Sequence, residues 1–307
     1  MLLLNGTNLT SPTPNELSDF TLTLVSLLIA TISTVGFALS CLFIRAVRSS
    51  TEFRQNSYFV FALSLCISDL HCLTVMIFYT SSCSFLQTPL GGTAATALIG
   101  FTLNAGWFSS LPTQCLLSAN RYVRLCKNEY YNRIFSLRYA RSWCACCWCF
   151  GLLYSIPSLT PSSYLVYDPV YFSWTWVVDN MLGKCVAYGE LVIVLSTLVF
   201  VYTLNIMVFK HYSKLHSSRE LNDDCVRKQR EFKIFVQFFL TTLWLPVVDI
   251  PFIIFSHLPK SRWQGLFHII SYVCACSAHS ATYIVLNRRI RNGALGLQKT
   301  STNGRLV

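Results

Sequence analysis

The stretch FTLTLVSLLIATISTVGFALSCLFI, residues 20–44, contains no charged side chain and is long enough to cross a lipid bilayer as a helix. Six further apolar stretches follow it, over Ser57–Tyr79, Gly92–Leu125, Ser142–Leu159, Val186–Phe209, Phe232–Phe255 and Trp263–Leu286. The third of the seven is the longest and the least hydrophobic, as expected of a tilted central helix. The sequence therefore predicts an all-α membrane protein, a bundle of seven transmembrane helices.

The composition agrees with a membrane protein. Of the 307 residues, 53% are hydrophobic and only 12% are charged, whereas soluble domains carry about 25% charged residues. A soluble domain could not cover so much apolar surface with so few charges. We predict one seven-span domain over residues 20–290, an outer tail over residues 1–19 and an inner tail over residues 291–307.

The distribution of basic residues predicts the orientation of the bundle. The linkers after the first, third and fifth stretches, together with the C-terminal tail, hold all but three of the 24 Lys and Arg residues. The exceptions are Lys184, Lys260 and Arg262. Because the cytoplasmic side of a membrane protein is the basic side, we expect the N-terminus outside and the tail inside. Orientation also explains the net charge of +11, so no nucleic-acid partner is expected.

Two features of the outer side suggest covalent modification. The triplets beginning at Asn5 and Asn8 have the N-glycosylation pattern and lie in the outer tail. Of the fourteen Cys residues, Cys83 and Cys185 fall in outer linkers. The outer side is oxidising, so a disulfide between them is expected, with two free thiols as the alternative. The cluster Cys144–Cys149 lies inside an apolar stretch and is not expected to bind a metal.

Several polar or helix-breaking residues interrupt the apolar stretches. Asp69 lies midway along the second, where a carboxylate is costly unless it faces the bundle interior. In the sixth, Pro246 removes a backbone hydrogen bond and kinks the helix, with Trp244 half a turn before it. Asp249 follows towards the outer end of the same stretch. The alternatives are a carboxylate that reaches water and a proline tolerated in a membrane helix.

The inner ends carry two further signals. Asn120, Arg121 and Tyr122 end the third stretch, where an arginine could pair internally at rest and meet a partner when released. The alternative is an interfacial arginine that only sets orientation. Residues 287–297 alternate basic and apolar side chains and predict a short amphipathic helix on the inner membrane surface.

As an ordered set, these features resemble the rhodopsin-like family of G-protein-coupled receptors. The matching residues are Asp69 at the family's sodium site, Asn120-Arg121-Tyr122 for its Asp-Arg-Tyr, Trp244 and Pro246 in the sixth helix, and Tyr283 and Asn287 in the seventh. The resemblance implies activation and coupling roles for these positions, and a sodium ion near Asp69.

The chain departs from this family at informative places. His279 and Ser280 stand where the seventh helix has Asn-Pro, and Thr96 stands where the third-helix disulfide cysteine is expected. Val273 stands at the position of the retinal-binding lysine, unlike an opsin. Leu103 stands at the position of the aspartate of amine receptors, so a biogenic amine is not the expected ligand.

The segment from Asn120 to Ser136 is most similar to the nematode serpentine chemoreceptors of class x. Its Asn120-Arg121-Tyr122 and the later Tyr131-Asn132-Arg133-Ile134-Phe135-Ser136 correspond to that family's Asn-Arg-Phe and Tyr-x-x-Ile-Phe-Ser. The resemblance implies a chemosensory receptor in the plasma membrane, in particular the ciliary membrane of sensory neurons.

We therefore expect a receptor, not an enzyme, that binds a small external ligand, sits among membrane lipids and activates a heterotrimeric G protein by outward movement of the sixth helix. The expected ligand contacts are Asn104, Trp107, Glu190, Trp244, Asp249 and His268.

Two other classes of protein fit the sequence less well than a receptor does. A channel or transporter is disfavoured because no inverted repeat is visible and insect-type odorant channels have the opposite orientation. A seven-span zinc hydrolase is disfavoured because His268 and His279 lie about 16 Å apart along one helix, too far to share a metal.

Overall fold

The computed structural model describes residues 3–4, 18–160, 163–178, 181–217, 232, 235–236, 239–255 and 258–296. Five helices within these ranges are long and apolar enough to cross a membrane, and a shorter apolar helix covers Phe239–Pro251. Asn5 and Asn8, the two expected glycosylation sites, lie outside the described residues.

The helices follow the predicted order, and we call them the first to seventh spans. The first is Asp19–Ser49 and the second is Ser57–Leu86, which passes through a π-helical segment at Met76–Thr80. The others are Gly92–Cys126, Leu137–Ser155, Met181–Ser217, Trp244–Phe255 and Arg262–Leu286. Short helices at Thr51–Arg54 and Asn128–Ile134 lie in inner loops, and Arg288–Ala294 follows the seventh span. This last helix crosses the predicted boundary at residue 290.

Polar side chains cap the starts of several spans. Ser18 accepts a hydrogen bond from the backbone N–H of Thr21, with Asp19 in the first turn. Asn56 caps the second span in the same way. Ser136 caps the fourth span, which therefore begins at Leu137 instead of Ser142. Such side chains satisfy backbone donors that the first helical turn leaves unpaired.

Small residues let the central spans approach closely. A Cβ atom on Gly151 of the fourth span would lie 2.5 Å from the carbonyl oxygen of Ala105 on the third. A buried cluster around Ile29, Leu73 and Trp176 fills the outer half of the bundle. A second cluster around Phe43 and Tyr58 fills the inner half.

The helical bundle carries one small sheet on its outer side. The loop between the fourth and fifth spans forms an antiparallel hairpin of Ser163–Asp168 and Ser173–Val178, in which Leu165 pairs with Trp176. We call it the outer hairpin. Leu3–Leu4 adds a parallel strand beside Ser173–Val178. The outer hairpin lies against the bundle, since Tyr167 and Trp176 are fully buried.

Two glycines allow the outer hairpin to touch the helices. A Cβ atom on Gly100 of the third span would lie 2.2 Å from the carbonyl oxygen of Leu165, and one on Gly265 of the seventh span would lie 1.9 Å from that of Tyr171. Ser84 and Tyr167 share a hydrogen bond of 2.6 Å between their hydroxyls. Arg262 Nε donates to the carbonyl oxygen of Val170 at 3.0 Å.

An ion pair of low net strength adds to these contacts. Lys260 Nζ lies 4.0 Å from Asp168 Oδ2 at the turn of the outer hairpin. Burial raises the pKa of Asp168, an effect that Lys260 partly offsets. Burial lowers the pKa of Lys260, and Asp168 opposes that shift. The cost of removing both charges from water thus offsets much of the attraction between Lys260 and Asp168. We therefore assign most of the contact between the outer hairpin and the bundle to packing and hydrogen bonds.

The expected disulfide between Cys83 and Cys185 is not formed. Cys83 is a buried free thiol, and Cys185 is an exposed free thiol on the fifth span. Cys83 packs in the outer core. Thr96, at the usual cysteine position of the third span, instead shares a 2.9 Å hydrogen bond with the hydroxyl of Tyr79. The outer hairpin is therefore held by noncovalent contacts.

A candidate ligand cavity and a coupling face

A cavity of about 80 Å³ lies beneath the outer hairpin, between the outer halves of the spans. We call it the outer cavity. It brings together five of the six expected ligand contacts: Asn104, Trp107, Glu190, Asp249 and His268. Since they come from the third, fifth, sixth and seventh spans, only the folded bundle assembles them.

Some lining residues were missed by the sequence analysis. Trp174, Trp176 and Leu165 reach the outer cavity from the outer hairpin, and Tyr272 reaches it from the seventh span. The alternation of aromatic and β-branched residues in SWTWVV (173–178) is a strand signal that could have identified the hairpin. Its position over the cavity could not be read from that signal.

The polar groups of the outer cavity are unevenly satisfied. Trp176 Nε1 donates to Glu190 Oε2 at 3.1 Å, which fixes that carboxylate below the hairpin. Asp249 Oδ2 and Asn104 Nδ2 are buried and have no hydrogen-bond partner among the described residues. A buried polar atom without a partner costs about 1–3 kcal/mol, so a hydrogen-bonding group that reached either atom would be stabilised there.

Trp244, the sixth expected ligand contact, lies deeper. It lines a second cavity of about 20 Å³ with Asp69 and His279, which we call the inner cavity. Trp107, Val248 and Tyr272 line both cavities. Trp244 lies five residues before Asp249 on the sixth span, and its direct contact with a ligand stays a prediction.

Asp69 is buried, as its position in the sequence predicted, and His279 Nδ1 lies 2.8 Å from its Oδ2 atom. The inner cavity around it is lined by oxygen-bearing side chains, such as Ser110 and Gln114, as well as by the thiols of Cys72 and Cys276. Oxygen atoms suit a hard cation and thiols do not, so the sodium ion that the resemblance implies stays a prediction. The Asp69–His279 contact joins the second span to the seventh.

The kink position of the sixth span is bound to the fifth. Proline at residue 246 leaves the carbonyl of Thr242 without its helical partner. The hydroxyl of Tyr202 on the fifth span donates to that carbonyl at 2.8 Å, and Asn205 Nδ2 donates to Thr242 Oγ1 at 3.3 Å. The polar group freed by Pro246 is thus satisfied by a neighbouring span, which makes this a stable position for a bend.

Arg121 is buried at the inner end of the third span, with 1% of its surface exposed. Its guanidinium carbon lies 3.6 Å from the centroid of the Tyr58 ring, a cation–π contact. The Tyr58 hydroxyl lies 2.5 Å from that of Tyr283, so Arg121 is linked through Tyr58 to the seventh span. The arginine is held inside the bundle in this state.

Asn120 replaces the acid of the family pattern and has a structural role. Its Nδ2 atom donates at 3.3 Å to both Ser57 Oγ and the hydroxyl of Tyr131. These contacts join the third span to the second and to the inner-loop helix Asn128–Ile134. Tyr122, the next residue of the motif, is only partly buried.

Asn287 caps the last helix. Its Oδ1 atom accepts from the backbone N–H groups of Arg289 and Ile290. Ile290 is buried against the bundle, whereas Arg289 faces out and pairs with Glu52 at 2.8 Å. The helix is amphipathic, as predicted, but shorter.

No group of three or more His, Cys, Asp or Glu side chains in the described ranges could hold a metal ion. The donor set that a zinc hydrolase would need is not assembled by these residues, and the structure lends that alternative no support.

Comparisons with known proteins identify one family from the sequence and one fold from the structure. A family model described as "Serpentine type 7TM GPCR chemoreceptor Srx" matches residues 30–287. The crystal structure of squid rhodopsin superposes with a TM-score of 0.77 at 14% sequence identity, over 95% of this chain and 90% of that one. At this identity the likeness shows the fold alone. No curated protein sequence matches the chain.

Proposed function

The chain belongs to the Srx family of serpentine seven-transmembrane chemoreceptors, which are G-protein-coupled receptors, and we propose that its outer cavity is the ligand site and its inner face the site of G-protein activation. It is a multi-pass membrane receptor and not an enzyme. The finer assignments below are our proposals.

One observation carries the proposed ligand site. The outer cavity collects polar side chains from four spans, closes beneath the outer hairpin, and leaves Asp249 Oδ2 and Asn104 Nδ2 without partners among the described residues. Small-molecule sites are typically apolar clefts with a few convergent polar groups of this kind.

Ligand binding acts by selecting one arrangement of the spans. A ligand shifts the equilibrium only if it binds the active arrangement more tightly than the resting one. Contacts at Trp107, Val248 and Tyr272 are shared with the inner cavity, where Trp244 lies. The sixth span then moves outward about Pro246, and the basic inner face around Arg121 becomes accessible to a heterotrimeric G protein.

The site of action follows from the family. We propose that the receptor resides in the ciliary plasma membrane of sensory neurons, with Asn5 and Asn8 as its glycosylation sites on the outer tail. Peptide-N-glycosidase treatment of the surface receptor should increase its gel mobility, and the Asn5→Gln/Asn8→Gln variant should be insensitive to the enzyme.

Replacing Asn104 with leucine is expected to weaken ligand activation without reducing surface expression. The change keeps a similar volume but removes the amide of a cavity-lining residue, whose Nδ2 atom is buried without a partner among the described residues. We expect the concentration for half-maximal response to rise about tenfold, the loss of one hydrogen bond of roughly 1–1.5 kcal/mol. A panel of small odorants, read out by nucleotide exchange on the G protein, tests this. An unchanged concentration for every active odorant would place the ligand elsewhere.

Replacing Tyr58 with leucine is expected to raise basal activation about two- to fivefold. The substitution removes the ring under Arg121, a contact worth about 0.5–1 kcal/mol. Tyr58→Phe is the matched control, because it keeps the ring and loses only the hydroxyl that meets Tyr283. Basal nucleotide exchange without ligand measures both. Equal increases in the two variants would assign the restraint to the hydroxyl pair instead of the stacking.

A further inference from the structure

The geometry of the outer cavity points to a ligand class: we propose that it binds a small organic cation, with Asp249 and Glu190 as its counter-ions. This inference rests on the outer cavity being the ligand site, and it adds the charge and shape of the molecule that fits there.

The charge balance of the cavity is the first support. Asp249 and Glu190 are both buried, with 2% and 7% of their surface exposed, and they lie near enough for each carboxylate to make ionisation of the other more costly. No Lys or Arg lines the cavity among the described residues, and His268 is the one histidine of the lining. A buried carboxylate is costly unless an opposite charge or hydrogen bonds accompany it.

The open carboxylate oxygen is the second support. Glu190 Oε2 already accepts from Trp176 Nε1. Asp249 Oδ2 accepts no hydrogen bond from the described part of the chain although it is buried and its residue lines the cavity. An ammonium N–H directed at this atom would make a charge-assisted hydrogen bond, about twice as strong as a neutral one.

The walls of the cavity are the third support. Trp107, Trp174, Trp176 and Tyr272 all line it, and the Trp107 and Tyr272 rings meet edge to face with centroids 5.4 Å apart. Aromatic faces attract cations through their quadrupoles, and tryptophan does so most strongly. Two carboxylates beside several aromatic faces suit an alkylammonium ion better than a neutral odorant.

Size limits the ligand further. A volume of about 80 Å³ holds roughly five to eight water-sized probes, at about 10–15 Å³ for each. Met76, Leu103 and Ile269 supply the apolar part of the lining. A short alkyl amine fits these limits. Leu103 occupies the position of the amine-receptor aspartate, so the anionic groups here come from the fifth and sixth spans instead.

The direct test measures thermal unfolding of the purified full-length receptor in lipid nanodiscs. Isobutylamine, which is cationic at neutral pH, is compared with isobutanol, its neutral analogue of nearly equal shape. Tetramethylammonium chloride is compared with sodium chloride. A bound ligand raises Tm with concentration, so we expect both cations to raise Tm at concentrations where isobutanol and sodium chloride do not.

Matched variants locate the binding. Asp249→Asn should raise the half-saturating concentration of isobutylamine about 10- to 100-fold, the loss expected for a charge-assisted contact. Glu190→Gln should weaken binding as well. Asp19→Asn, an exposed acid-to-amide change at the start of the first span, should leave the titration unchanged. The Tm of each unliganded variant checks its folding, and Glu190→Gln serves as the test if Asp249→Asn does not fold.

The outcomes separate this proposal from the proposed function. Equal effects of isobutylamine and isobutanol, no effect of either cation on a folded receptor, or wild-type cation affinity in Asp249→Asn would each overturn the cation assignment. None of these readouts uses a G protein. A receptor that binds the cation but does not activate a G protein would uphold the assignment and contradict the coupling.

Discussion

Adding a single methyl group at Gly265 is expected to remove most of the receptor from the cell surface. Gly265 lies in the first turn of the seventh span, where a Cβ atom would lie 1.9 Å from the carbonyl oxygen of Tyr171 and 2.7 Å from that of Phe172. Both atoms belong to the backbone and cannot rotate aside. Phe172 is buried and has a positive φ of 49°, which leaves the turn little freedom to adjust.

The outer hairpin or the seventh span must therefore shift in Gly265→Ala. Overpacking of this kind costs about 1–3 kcal/mol and occasionally more, a large share of the roughly 5–15 kcal/mol that stabilises most proteins. With no disulfide between Cys83 and Cys185, the described part of the chain holds the outer hairpin against this strain by noncovalent contacts. Flow cytometry with an N-terminal epitope tag measures the surface level.

Gly293→Ala is the matched control. Its added Cβ atom would lie 3.4 Å from that of Ala46, an ordinary contact, and alanine favours a helix over glycine by about 1 kcal/mol. We expect this variant at wild-type surface level, and Gly100→Ala to fail as Gly265→Ala does. A normal surface level for Gly265→Ala would show that the outer hairpin does not need its contact with the seventh span.

The order of the spans could be predicted because a long apolar stretch directly identifies a membrane-spanning helix. A stretch such as residues 20–44 has no other stable location, and the positive-inside rule then fixes its direction. The ends of the helices were less predictable. They depend on single caps such as Ser136, which a hydropathy window averages away.

The burial of the outer hairpin and the state of the cysteines could not be predicted from the sequence. Strand pairing joins Leu165 to Trp176 across a turn, and the burial of the pair depends on glycines in distant spans. The expected disulfide was inferred from location alone. Their positions in predicted outer linkers do not show that Cys83 is buried in the core or that Cys185 is exposed on another helix.

The types of residue in the candidate site could be predicted better than their level along the bundle. Polar groups in apolar stretches, such as Asn104 and Asp249, had to face the interior, and they do. Trp244 lines the inner cavity and not the outer one, because its level relative to Asp249 depends on how the sixth span packs. The contact of His279 with Asp69 joins residues far apart in sequence and is visible only in three dimensions.

Replacing Arg121 with alanine is expected to abolish ligand-stimulated G-protein activation while ligand binding and surface expression persist. Arg121 lies at the inner end of the third span, and the outer cavity is lined by residues from the opposite half of the bundle. In the resting state its guanidinium stacks on Tyr58, so its release requires the second and seventh spans to rearrange. The proposed active state presents that guanidinium to the G protein, where each charge-assisted hydrogen bond is worth about 1.5–3 kcal/mol.

Loss of two such bonds would reduce activation by about 100-fold or more. A nucleotide-exchange assay with saturating ligand would then show no exchange above the basal rate. Arg124→Ala is the matched control, since Arg124 lies one turn away, contacts Tyr131 at 4.5 Å and is only partly buried. It should signal at a level near wild type. If Arg121→Ala lost ligand binding and surface level together, the arginine would be a structural residue of the inner core. If it signalled normally, the G protein would have to engage the inner face through other basic residues.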